Sequence, residues 1–153
     1  MTIDCYSYIQ FDDAKVGLNE VDKLGLNNPP VDLLVLSACK TAVGNKDAEF
    51  GFAGLALQAG VKSALASLWS INDAGTVALM SEFYQNLKSG SMKAQALRES
   101  QVAMLQGKVY VEGDRLRSSR GAVDLPPALA ETKTTNLSHP FYWAGFSIMG
   151  NPW

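Results

Sequence analysis

The chain has 153 residues, 47% of them hydrophobic and 18% charged, which fits one globular domain and excludes a disordered one. A net charge of −2 gives no basis for a nucleic-acid or anionic-membrane partner, and no apolar run is long enough to cross a bilayer. Two cysteines and one histidine exclude a closed four-ligand zinc site.

The first residues, MTIDCYSYIQFDD, have no basic segment followed by an apolar one. No signal peptide is expected, the expected location is the cytoplasm, and a disulfide framework is not expected there. Residues 3–11 (IDCYSYIQF) are rich in β-branched and aromatic residues and predict a strand. Residues 18–24 predict a short helix, with Asn19 as its N-cap, Asp22 at the capping-box position and Gly25 as the stop. Asn28-Pro29-Pro30 predicts a loop. Residues 31–37 (VDLLVLS) form a short apolar run that suits a central strand buried on both faces. Residues 50–59 predict a helix with small residues for close packing on a sheet, ending at Gly60. Residues 63–69 (SALASLW) predict the next buried strand.

Asn72 or Asp73 can cap the following helix, which Gly90 ends; Val77, Met80, Tyr84 and Leu87 share one of its faces. Ser91 caps another helix, with Ala94, Leu97, Met104 and Leu105 in a stripe that Gln101 interrupts. Residues 108–117 predict a hairpin around Glu112-Gly113-Asp114. A proline-containing loop leads to a last strand at 141–149. Strands and helices in this order predict an α/β layer structure with a largely parallel sheet. In such sheets chemistry gathers at the C-terminal ends of the strands.

Cys39 directly follows one such strand, and the small Ala38 before it permits a sharp turn. Its backbone N–H could help stabilise an oxyanion. Cysteine is also among the most buried residue types, so position by itself favours a structural cysteine. A cysteine nucleophile needs a base or a positive field to become a thiolate. The one histidine, His139 in Ser138-His139-Pro140, reads as a residue that bonds backbone and orients the last strand. Asp73 is either a helix cap or an acidic residue lining a pocket beside Cys39. Lys40 reads as a solvated loop residue, and Trp69 and Trp143 as core packing. The glycines around 43–45 and 51–54 do not match a phosphate-binding loop.

The segment Val35-Leu36-Ser37-Ala38-Cys39-Lys40-Thr41 resembles the nucleophile segment of CHAT domains, caspase-like cysteine peptidase domains often fused to tetratricopeptide repeats. The resemblance continues through 51–60, 66–73 (ASLWSIND), Phe83-Tyr84, 94–98 (AQALR) and 138–146 (SHPFYWAGF), in consistent order over nearly the whole chain. It implies a caspase-like three-layer α/β arrangement, with residues 1–153 as a single partial domain whose N-terminal strands are missing. It implies Cys39 as the nucleophile, Asp73 as a substrate-binding residue for a basic side chain, a peptide or protein substrate, and no cofactor or metal. In the family the general-base histidine lies N-terminal to the cysteine, in a His-Gly pair whose glycine serves the oxyanion hole. Residues 1–38 contain no histidine, and His139 matches a different, structural motif. The resemblance therefore implies a chain that is inactive unless a partner supplies the N-terminal half, or else a non-catalytic scaffold. The uncovered strand edge would favour a homodimer, or pairing with that half or with a tetratricopeptide-repeat region. Cys39 is expected near the surface and Cys5 deeper.

Overall fold

The computed structural model describes residues 8–10, 15–37, 51–118, 121–129 and 135–153. Strands β1 (Tyr8–Gln10) and β2 (Lys15–Gly17) pair antiparallel. A 3-10 helix at Leu18–Leu24 follows. Its N-cap is Gly17 rather than Asn19, and the Gly17 N–H donates to Glu20 Oε2 at 3.3 Å. The acid three residues past the cap is thus Glu20, where Asp22 was expected. Strand β3 (Leu34–Leu36), helix α1 (Gly51–Gln58) and strand β4 (Ser63–Ser67) come next. Helices α2 (Asp73–Lys88) and α3 (Lys93–Leu105) follow.

The expected hairpin is present as β5 (Tyr110–Glu112) and β6 (Arg115–Ser118). Strands β7 (Gly121–Asp124) and β8 (Thr135–Asn136) flank it, in the stretch expected to be a loop. All four β7 residues are exposed, so no inward-facing pattern announced the strand. The last strand, β9 (Phe146–Gly150), begins later than expected, because Pro140–Tyr142 first forms a 3-10 turn.

Two larger sheets result, in the orders β3-β4-β9 and β7-β6-β5-β8. Helices and mixed sheets place the chain in the α/β class, but the expectation of a largely parallel sheet is corrected. Among the described residues β3–β4 is the one parallel pair, and all other pairings are antiparallel. The reason is the route to β9. The chain reaches it through α2, α3 and the whole second sheet, and arrives at the end of β4 opposite to where a single helical crossover would land.

All five β4 residues are buried, and alternate side chains of a strand face opposite ways. Leu65 joins a core with Leu79, Phe83, Leu97 and Met104 of α2 and α3, and with Val111 and Leu116 of the second sheet. Ala64 and Ala66 join Phe52, Ala53 and Ala56 of α1 and Val21 of the 3-10 helix. Small residues on that face let α1 approach closely. Between α2 and α3, Asn86 Nδ2 donates to Ser100 Oγ at 2.9 Å and to the Ala96 carbonyl at 3.3 Å, and Ser100 Oγ donates to the same carbonyl at 2.7 Å. These buried polar groups satisfy one another. The N-cap of α3 is Met92, without a side-chain cap, whereas Ser91 donates to Glu99 Oε2 at 3.2 Å. Among the described residues, no helix is long and apolar enough to cross a membrane.

One ion pair ties the start of β3 to the start of α3. The ammonium of buried Lys93 lies 2.9 Å from Asp32 Oδ2, and Lys62 approaches Oδ1 at 3.5 Å. Lys93 is the largest influence on the Asp32 carboxyl, first through its N–H groups and then its charge. It holds the carboxyl below its ordinary 3.8, with Lys62 adding to the pull and desolvation opposing it. Because folding lowers this pKa, the pair contributes stability above pH 3.8 that is lost as pH falls through the folded value. Urea midpoints measured from about pH 5 down to about pH 3 should therefore fall more steeply for the wild type than for Asp32→Asn, although the variant starts lower because Lys93 is left unpaired. Equal slopes would show that this carboxylate carries none of the acid sensitivity.

Candidate functional site

The parallel register sets Leu34, Val35 and Leu36 of β3 beside Ala64, Leu65 and Ala66 of β4. The two strands therefore leave the sheet at the same edge. Strand β9 enters at that edge, with Phe146 opposite Ser67. Three segments converge there: the one after β3 that leads through Ser37 toward Cys39, residues 68–72, and residues 138–145. Cys39 itself lies outside the described residues, as do Cys5, Ala38 and Lys40.

The second and third segments are locked together. The Leu68 N–H donates to the Gly145 carbonyl at 2.8 Å, and Trp69 Nε1 donates to the Phe141 carbonyl at 3.0 Å. Gly145 lies under the Trp69 indole, where a Cβ would meet Cε2 at 2.8 Å and Cδ2 at 3.0 Å. Gly75, in the first turn of α2, lies as close to Tyr142, whose carbonyl oxygen would be 2.9 Å from an added Cβ. His139 has the structural role expected of it. It is the N-cap of the turn at Pro140–Tyr142, and its Nδ1 accepts from the Phe141 N–H at 3.2 Å. Trp143 Nε1 closes the turn by donating to the Ser138 carbonyl at 3.1 Å.

Sequence reasoning left Gln101 as a mere interruption of an apolar stripe. Its Nε2 donates to the carbonyls of Phe146 at 3.0 Å and Trp143 at 3.3 Å, fastening α3 to the incoming end of β9. The polar residue in the stripe was the signal, because an amide half-buried among apolar neighbours needs partners.

Asp73 is the first residue of α2 and is exposed. The cap alternative for it is not met. Asn72 is the N-cap, with extended backbone and its side-chain oxygen accepting from the Gly75 N–H at 2.9 Å. The Asp73 carboxylate is therefore not spent on capping, and a helix N-terminus favours an anion there. No group of three or more His, Cys, Asp or Glu residues that could hold a metal is found among the described residues.

The close approach at Gly145 gives a direct test of the bracing. Gly145→Ala should cost about 1–3 kcal/mol of stability, because the indole and the Ile71 side chain must both move. Urea denaturation followed by tryptophan fluorescence measures the loss and reports any shift in the indole surroundings. An unchanged midpoint and spectrum would show that Trp69 gives way freely.

Compared with protein-family models, residues 4–151 match the CHAT domain. No curated protein and no solved structure matches the chain. The match runs through both braced motifs and the strand before Cys39, and the chain belongs to the CHAT domain family, a caspase-like peptidase family.

Proposed function

We propose that this chain supplies the nucleophile-bearing part of a caspase-like cysteine endopeptidase. The observation that carries the reading is the shared sheet edge, from which the segment leading to Cys39 and the segment ending in Asp73 both emerge. In this reading Cys39 sulfur attacks the carbonyl carbon of a peptide bond. A C–S bond forms, the C–N bond breaks, and the leaving amine takes its proton from an imidazolium. Water then hydrolyses the thioester and restores the thiol. Asp73 binds a basic side chain before the scissile bond. The packing of α1 on one face of β4 and of α2 and α3 on the other supports a caspase-like three-layer arrangement.

The general base is a histidine beyond those that residues 1–153 offer. His139 already accepts a backbone hydrogen bond through Nδ1, and residues 1–38 contain no histidine. A strand carrying a His-Gly pair would supply the base, either on a preceding segment or on a separate chain. In the described sheet β3 is an edge strand, which such a strand, or a second copy of the chain, could extend.

The test is a peptidase assay of the chain with and without a His-Gly-bearing N-terminal segment, on peptides with arginine before the scissile bond. The chain by itself should be inactive and the completed protein active. Cys39→Ala should lower the rate by about a thousandfold or more. Asp73→Asn should weaken cleavage after arginine far more than it lowers stability. Activity that survives Cys39→Ala would sink the reading. Tight binding of the segment with no cleavage would identify a scaffold instead.

A further inference from the structure

Helix α2 carries a second carboxylate whose surroundings differ from those of Asp73. Glu82 lies about 13 Å further along the helix axis. It is only 2% exposed, yet its Oε1 has no hydrogen-bond partner among the described residues. A buried carboxylate oxygen without a partner is costly, because it gives up hydration and gains no hydrogen bond in return. Glu82 lines a cleft of about 310 Å³ between α2 and α3.

The donor one turn on along α2 is committed elsewhere. The Asn86 amide, one turn on, donates to Ser100 and Ala96. The other carboxylate of the cleft, Glu99, is occupied by Ser91 Oγ at 3.2 Å and Gln95 Nε2 at 2.8 Å. Arg98 and Lys108 also line the cleft and are exposed. Neither forms an ion pair among the described residues. The cleft thus combines a buried carboxylate oxygen without a partner and two cations without an ion pair among the described residues, and Val102 and Ala103 add an apolar wall.

We infer that this cleft is a binding site for a small zwitterion, an α-amino acid with an apolar side chain. Its ammonium group donates to the Glu82 carboxylate, its carboxylate is held by Arg98 or Lys108, and its side chain lies on Val102 and Ala103. Each end of the ligand answers a group left without a partner among the described residues. A simple cation would answer only Glu82 and would be repelled by Arg98 and Lys108. A simple anion would answer only the two cations.

The probe is L-leucine, titrated into the whole chain at neutral pH and followed by two-dimensional NMR of the backbone amides. Isoamylamine and isocaproate serve as its two halves. Saturable shifts are expected around residues 82, 98 and 102–106, with each half binding about tenfold more weakly or worse. Glu82→Gln keeps the shape of the side chain and should raise the dissociation constant for leucine about tenfold or more. Should that variant fail to fold, exposed Arg98 and Lys108 provide the second test. Replacing both by glutamine should weaken leucine and isocaproate binding and leave isoamylamine binding at least as strong, since the repulsion on its ammonium is removed. No saturable response to leucine up to about 20 mM would overturn the proposal. So would equal affinity in Glu82→Gln, or equal loss of all three probes in the double substitution.

Discussion

Replacing Phe83 by alanine is expected to lower the free energy of unfolding by about 3–5 kcal/mol. Phe83 is fully buried and belongs to the core that joins α2 and α3 to Leu65 of β4 and to the second sheet. Removing its ring leaves a cavity that Leu79, Met104 and Val111 can fill only in part, since each is itself held by other elements. Total stabilities of such domains are about 5–15 kcal/mol, so this one change removes a large fraction. The neighbouring Tyr84 provides the control. Its ring centroid is 5.6 Å from that of Phe83, but the residue is 51% exposed. Tyr84→Ala should cost less than about 1 kcal/mol. Urea titration of both variants measures the contrast, and similar losses would mean that the core is not centred where the burial places it.

Gly150→Ala is expected to cost about 3 kcal/mol or more. Gly150 ends β9 opposite Ser63 of β4, with φ at +88°, a conformation that side chains with a Cβ rarely adopt. An added Cβ would also collide with the Lys62 carbonyl oxygen and come within 2.8 Å of Leu57 Cδ2. The Lys62 carbonyl cannot simply swing away, because it accepts from the Asn151 N–H at 2.8 Å. Strain and collision therefore act together, and the relief available is to pull the end of β9 off β4. Hydrogen exchange should show faster exchange at 147–151 in the variant than in the wild type. Unchanged protection, with an unchanged urea midpoint, would show that the backbone absorbs the methyl group.

The elements that could be read from the sequence are those whose own residues declare them. The apolar run before Cys39, the small-residue helix ending near Gly60 and the glycine turn between β5 and β6 all form elements close to their expected residues, but β3 is an edge strand of the described sheet with only Leu36 buried, not the central strand buried on both faces that its apolar run suggested. Strands β7 and β8 could not be read, since an exposed four-residue strand and a two-residue strand exist through their partners. The direction of β9 was equally hidden. Its residues fit a parallel or an antiparallel neighbour, and the path of the intervening chain decides between them. Val77, Met80, Tyr84 and Leu87 were read as one face of α2, but of these Tyr84 is exposed while Phe83 beside it is fully buried. A helical period by itself does not say where an apolar stripe ends.

At the candidate site, the resemblance identified the motifs and the structure supplies their physical reason. The tryptophan of one motif packs on the glycine of the other, and the histidine caps the turn between them. Asn72 and Asp73 could not be told apart as caps from sequence, because both side chains can accept from a helix N–H. Backbone geometry decides for Asn72. The role of Gln101 depends on carbonyls more than forty positions away, which no local pattern can reveal.

The central position of β4 also bears on how the protein is made. Its partner β3 precedes it, but β9 and the turn that braces Trp69 come much later, with Trp69 and Phe141 separated by 72 positions. At translation rates of about 5–20 residues per second, that separation is roughly 4–14 s. For that interval the nascent chain holds a strand of five residues, SALAS, that the finished protein buries entirely, with one edge unpaired. The long wait between β4 and β9 makes the emerging chain, more than the folded one, the form that most needs protection from its neighbours.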